Sequence, residues 1–142
     1  MKTQNYNNHM RLVGGWHGIT FLLIIALLVG SIINLCNTTA DNLYAASLIC
    51  LVAVIFGFFF VFARYFALKA QDRAIRAEEN LRYFVLTGNL LPKELRLSQI
   101  IALRFASDAE FVALAQKAVV EKLSNKAIKK AIKDWRADYS RV

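Results

Sequence analysis

The sequence predicts an all-α membrane protein: a transmembrane helical hairpin whose long second helix extends into a small cytoplasmic helical domain. Three observations predict it. Residues 18–34 and 43–63 carry no charged side chain. Only Leu35 to Asn42 separate them. No alternating strand pattern appears anywhere. A helix rises about 1.5 Å per residue, so about 20 residues cross a hydrocarbon core of roughly 30 Å. The second stretch meets that length outright, and the first meets it once Cys36 is included.

The organisation follows: residues 1–17 form an N-terminal cytoplasmic segment, residues 18–68 the hairpin, and residues 69–142 a cytoplasmic helical region. The spans run over about 18–36 and 43–64, with an outer turn at 37–42. Within the first segment, Gly14-Gly15 suggests a bend, and Trp16 stands where an interfacial aromatic anchor belongs. A cleaved signal peptide is disfavoured, because signal cores run about 7–15 apolar residues and this stretch is longer.

Charge sets the orientation. The net charge is +8, and from Arg64 onward there are 16 Lys plus Arg against 9 Asp plus Glu. The inter-span loop holds Asp41 and no base. Because Lys and Arg resist translocation, both termini are expected in the cytoplasm. Cys36 and Cys50 fall at different depths, beyond disulfide reach, and read as small packing residues.

Two small-xxx-small pairs, Ala26/Gly30 and Ala53/Gly57, are the candidate helix-packing residues, since such pairs let backbones approach closely in lipid. Counted from the turn, Ala26 and Ala53 reach the same depth. The second helix meets no glycine or proline between Arg64 and Gly88, so it is expected to run from Leu43 to about Leu86 with Gly88 or Asn89 as its C-cap. Asp72/Arg76 and Glu78/Arg82 have the spacing of acid-before-base pairs.

Short helices follow. Pro92 suits a first helical turn, Ser98 can cap the next segment, and Ser107 with Glu110 has the spacing of a capping box. Ser124 can cap a last helix running through Trp135 to Tyr139. Its Lys122, Lys126, Lys129, Lys130 and Lys133, with Trp135, are the candidate contacts to a membrane surface or a partner. The competing expectation buries its apolar face against Phe111, Leu114 and Ala118 and leaves the lysines solvated.

Catalytic constellations are not found. His9 and His17 stand without a ligand cluster around them, no phosphate loop or metal motif occurs, and no catalytic, cofactor or metal residue is assigned. Apart from the loop Asp41, residues 18–63 hold no acid, base or histidine, which argues against a self-contained transporter. Nucleic acid is disfavoured as a partner, since no aromatic platform interleaves the bases.

The opening QNYNNHMR, the segment LRYFVLTGNLLPKELRLSQIIALRFASDAEFVALAQKAV and the ending KKAIKDWRADYSRV resemble a family of small uncharacterised two-span bacterial inner-membrane proteins, a domain of unknown function. The family pattern carries a proline where Gly14 or Gly15 stands here. The resemblance implies a bacterial inner membrane and two spans, and no activity, cofactor or catalytic residue.

The expected function is a non-catalytic inner-membrane accessory subunit or scaffold. It would associate through the hairpin, with itself or a larger membrane complex, and dock partners through its cytoplasmic helices. The alternative is a subunit of an oligomeric channel or transport assembly.

Overall fold

A computed structural model describes residues 4–6, 8 and 13–138. His9, Arg11 and the chain from Tyr139 lie outside the described residues. The described residues are helical, with no strand beyond one isolated bridge between Ala106 and Trp135. A π-helical turn, Gly15–Thr20, leads into α1 (Phe21–Asn37). A 3₁₀ turn, Ala40–Asn42, leads into α2 (Leu43–Thr87). Three short helices follow: α3 (Leu97–Leu103), α4 (Asp108–Val120) and α5 (Asn125–Ala131). The chain divides into two compact units, residues 12–67 and residues 1–11 with 68–141, and α2 contributes to both.

The first unit is the helical hairpin. Two helices are long and apolar enough to cross a membrane, and their most apolar windows are only 6% and 11% buried. The core helix of a soluble domain would be covered instead. Aromatic rings close the hairpin at the end opposite its turn. Trp16 stacks on Phe60 at 4.8 Å and 9° between planes, and Phe21 lies 6.0 Å from the same ring. Trp16 therefore packs inside the hairpin and is half-buried there. The Gly14-Gly15 bend does not form: Gly14 is helical (φ −57°, ψ −40°), and the next residues wind as a π-turn. Thr20 Oγ1 donates to Gly15 O at 3.0 Å within that turn.

Covered positions on the hairpin recur at alternating steps of four and three. On α1 they are Ile24, Leu28, Ser31 and Leu35; on α2 they are Ala46, Cys50, Ala53, Gly57 and Phe60. This is the spacing of left-handed helix pairs, in which side chains of one helix enter gaps of the other. Small residues (Ala46, Cys50, Ala53 and Gly57) occupy most of the α2 stripe. Ser31 is buried, and its hydroxyl is satisfied by donating to Leu28 O at 2.8 Å.

In the second unit a true core forms. Phe105, Phe111, Leu103 and Ile128 are its largest fully buried side chains, with Tyr83, Leu91, Leu95 and Ile132 around them. Burying a Phe or Leu side chain contributes about 1.5–3 kcal/mol each. Helix α2 ends at Thr87 because Gly88 takes φ +73° and its N–H bonds back to Phe84 O at 2.8 Å. Helix α4 ends in a Schellman turn. Leu123 N donates to Ala118 O (3.1 Å) and Lys122 N to Val119 O (3.3 Å), with Lys122 left-handed at φ +50°. That position normally selects glycine.

Two local caps that the sequence suggests are not made, at Ser98 and at Ser107. Helix α3 starts one residue after Arg96, not at Ser98; Arg96 N donates to Gln99 Oε1 at 2.8 Å. Ser107 precedes α4 without a side-chain cap, so the Ser107/Glu110 box is not made. Glu110 instead accepts from Lys133 N (3.2 Å) and Asp134 N (3.1 Å). Those two bonds, with Ser107 N to Asp134 O and Arg136 N to Phe105 O, hold residues 133–136 in an extended path. The last helix therefore stops at Ala131 rather than running on to Tyr139. Ser124 does cap it, accepting from Ala127 N at 3.1 Å.

Two arginines, Arg104 buried and Arg82 nearly so, tie the elements together. Arg82 bonds Glu79 (3.0 Å), Asp108 (2.6 Å) and Ala106 O (2.7 Å), and lies 4.3 Å from the Phe111 ring centroid. The Glu78/Arg82 pair is thus displaced by Glu79, one turn position closer to the core. Arg104 bonds Asp138 (2.8 Å) and Ile101 O (3.1 Å) and stacks on Phe105. The Gln4 amide exchanges two hydrogen bonds with the Asp138 backbone, at 2.7 and 3.3 Å, so the two ends of the chain meet in this unit.

Candidate functional site

The clearest concave site lies in the second unit, between α2 and the loop that follows it. Gly88 turns the chain back, and Asn80 then fixes the loop: its Oδ1 accepts from Leu91 N at 2.9 Å. Leu95 N donates to Pro92 O at 3.1 Å, giving the loop a rigid turn. The result is a cleft of about 660 Å³, within the size range of small-molecule sites. Arg73, Arg76 and Asn80 share one face of α2 along one wall, and Lys93 stands on the other. Leu90, Leu91 and Ile100 supply apolar surface, and no carboxylate lines the cleft. Arg73, Arg76 and Lys93 make no ion pair among the described residues. The expected Asp72/Arg76 pair is not made; Arg76 lines the cleft instead. Sequence spacing matched Arg76 to the nearest acid one turn back, and only the folded loop shows that three bases share a hollow.

The basic tail is distributed around the end of the fold. Lys122, Lys126, Lys130 and Lys133 are exposed. Lys129 lies 5.5 Å from the Phe105 ring centroid and Lys130 5.8 Å from that of Tyr6. Trp135 packs on Phe105 at 5.0 Å and is half-buried. Ile128 and Ile132 are buried in the core. The apolar face of this segment is therefore occupied within the chain, mostly against α3 as well as α4. What remains outward is charge without a hydrophobic stripe.

The small residues of the hairpin are split. Ala53 is buried and Gly57 half-buried on the α2 stripe, while Ala26 and Gly30 are exposed on α1. Equal depth did not bring Ala26 against Ala53, because Ala26 points away from the covered face. Ser31 and Ala46, which spacing of small residues alone did not single out, lie on that face instead. A Cβ added at Gly30 or Gly57 would meet nothing within 4 Å.

Glu79 is the described group whose titration is clearly displaced. Burial raises its pKa above the ordinary carboxylate value, partly opposed by the hydrogen bond and charge of Arg82. It serves the Arg82 lock, also feels the charge of Arg136 in the tail, and does not line the cleft. Among the described residues no three His, Cys, Asp or Glu side chains converge as metal ligands. His17 is engaged locally with Val13, its Nδ1 3.1 Å from the Val13 N–H. Both cysteines are free thiols.

No curated protein and no solved structure matches this chain. The model of a family of unknown function (DUF6526) matches residues 1–142, the whole length of the chain, which belongs to that family.

Proposed function

We propose that this chain is a non-catalytic accessory subunit or scaffold of the bacterial inner membrane, with both termini in the cytoplasm. The observation that carries the docking half of this reading is an apolar face on α2 outside the hairpin. Leu81, Phe84 and Val85 are 63%, 49% and 75% exposed there. Large apolar side chains clustered on one helix face mark interaction surfaces. Leu81 and Val85, with Leu86, border a shallow groove of about 320 Å³ that Glu78, Arg82 and Asp108 rim with charge. An apolar centre with a polar rim is the anatomy of a protein interface.

Two further features support the membrane half. The hairpin exposes most of its apolar surface, with Asp41 in the turn and Arg64 toward the other end, a pattern that lipid satisfies and water does not. The Gln4–Asp138 bonds hold a residue before the first span against one after the second, which agrees with two crossings that return the chain to the same side.

Val85→Asp tests the docking surface. The membrane-extracted wild type is expected to migrate as an assembly larger than its monomer in gentle detergent, and Val85→Asp to release the smaller species with its helicity intact. An unchanged assembly size for Val85→Asp would remove this face from the interface. Mass spectrometry of the wild-type assembly then separates an accessory subunit, found beside a larger protein, from a scaffold made of copies of itself.

A further inference from the structure

The cleft between α2 and the loop after Gly88 combines two properties that seldom meet. Its polar wall is basic, with Arg73 and Arg76 one helical turn apart and Lys93 facing from the loop. None of the three is neutralised by an ion pair among the described residues, and no acid lines the hollow. Its remaining wall is aliphatic, from Leu90, Leu91 and Ile100. Asn80 is turned inward to hold the loop, so the cleft's shape is fixed by a hydrogen bond rather than left to chance.

Arg73, Arg76 and Lys93 are exposed bases that line one hollow without an ion pair among the described residues, so the hollow favours an anion. Arginine pairs with planar or tetrahedral oxyanions through a fork of donors, and lysine adds a point charge. An inorganic anion would occupy a small part of about 660 Å³ and leave Leu90, 67% exposed at the rim, uncovered, while Leu91 and Ile100 form the buried floor. A purely apolar ligand would leave the bases unsatisfied. The ligand that satisfies both walls carries a phosphate or carboxylate at one end and a hydrocarbon body at the other.

We propose that this cleft binds one anionic amphiphile, its oxyanion head on Arg73, Arg76 and Lys93 and its apolar body against Leu90, Leu91 and Ile100. The site is separate from the Leu81–Val85 face and does not depend on partner docking. Glycerophospholipids with an acidic head and fatty acids share this chemistry.

Native mass spectrometry of the full chain in a neutral detergent tests it. Phosphatidylglycerol, phosphatidylcholine with the same acyl chains, oleate and soluble glycerol phosphate are titrated separately. One retained phosphatidylglycerol or oleate per chain is expected, with phosphatidylcholine and glycerol phosphate at least about tenfold weaker. Arg73→Gln with Arg76→Gln is expected to weaken retention roughly tenfold or more, at about one charge's worth of attraction per base. Lys117→Gln with Arg136→Gln removes the same charge elsewhere, at two exposed positions, and is expected to leave retention unchanged. Arg73→Lys with Arg76→Lys should restore part of the binding, which separates lost charge from lost fold. Preference for phosphatidylglycerol over oleate, or the reverse, identifies the head group. Equal binding of phosphatidylcholine, or equal loss in the Lys117/Arg136 variant, would overturn the proposal. Glycerol phosphate binding as tightly as the lipid would overturn the amphiphile assignment and leave a free-anion site.

Discussion

Arg82 Nε lies 2.6 Å from Asp108 Oδ1, joining the end of a 45-residue helix to the first turn of α4. The arginine is nearly buried, while the aspartate side chain is two-thirds exposed, so the two partners carry unequal weight. Removing the guanidinium strands buried Glu79 and the Ala106 carbonyl together. Arg82→Met should therefore destabilise the second unit by about 3–5 kcal/mol, the usual result of breaking a buried pair from one side. Asp108→Asn keeps an acceptor near solvent and should lose less than about 1 kcal/mol. Thermal or denaturant unfolding monitored by Trp135 fluorescence distinguishes the two.

Glu79 gives the same lock a pH dependence. Its folded pKa is raised, chiefly by burial, so the folded state holds its proton more tightly than the unfolded state. The stabilisation linked to that proton is complete below about pH 4.5 and is lost as pH rises through the folded pKa. Glu79→Gln keeps an acceptor for Arg82 and removes the titration. The difference in stability between wild type and Glu79→Gln should shift in favour of the variant as pH rises from 4.5 toward neutrality. A difference that stays flat over that range would mean Glu79 titrates normally.

Packing in the hairpin should be asymmetric between its two small-residue pairs. Ala53 is 1% exposed and Ala26 lies on an exposed face. Ala53→Leu should overpack the seam, at about 1–3 kcal/mol. Ala26→Leu should leave the isolated hairpin unaffected. Gly57→Ala should also be tolerated, since open space surrounds its added Cβ. Resistance to unfolding in mixed micelles, compared across the three variants, reads out this order. If Ala26→Leu alone disrupts a larger assembly, that face packs between chains.

Two backbone positions with positive φ should respond in opposite directions. Gly88 at φ +73° ends α2, and Gly88→Ala should destabilise by roughly 1 kcal/mol. Lys122 at φ +50° occupies the glycine position of the α4 Schellman turn, and Lys122→Gly should stabilise by up to about 1 kcal/mol. Paired denaturant titrations of the full chain check both signs.

Local signals in the sequence carry far in this protein where structure depends on the chain itself. The uninterrupted run to Gly88 implies one long helix, and α2 ends at Thr87, one residue before that glycine. Ser124 caps its helix for the same local reason. What escapes the sequence depends on distant neighbours. Glu110 has the spacing to cap its own helix but is taken by backbone N–H groups 23 and 24 residues away. The same bonds end α5 early and turn Trp135 inward. Helical spacing gives the depth of Ala26 but not which side the partner helix approaches. Arg73, Arg76 and Lys93 were legible as separate charges, and only the Asn80–Leu91 bond gathers them around one cleft.

Cysteine accessibility tests the hairpin most directly. In a background with Cys36→Ala and Cys50→Ala, single cysteines are placed at Thr38, in the inter-helix turn, and at Lys126, exposed on α5. Intact cells are treated with a membrane-impermeant maleimide, and the same cells again after permeabilisation. The Thr38 cysteine should react in intact cells, and the Lys126 cysteine only after permeabilisation. Reaction at Lys126 in intact cells with Thr38 protected would reverse the orientation, and equal reaction at both before permeabilisation would contradict a membrane-spanning hairpin.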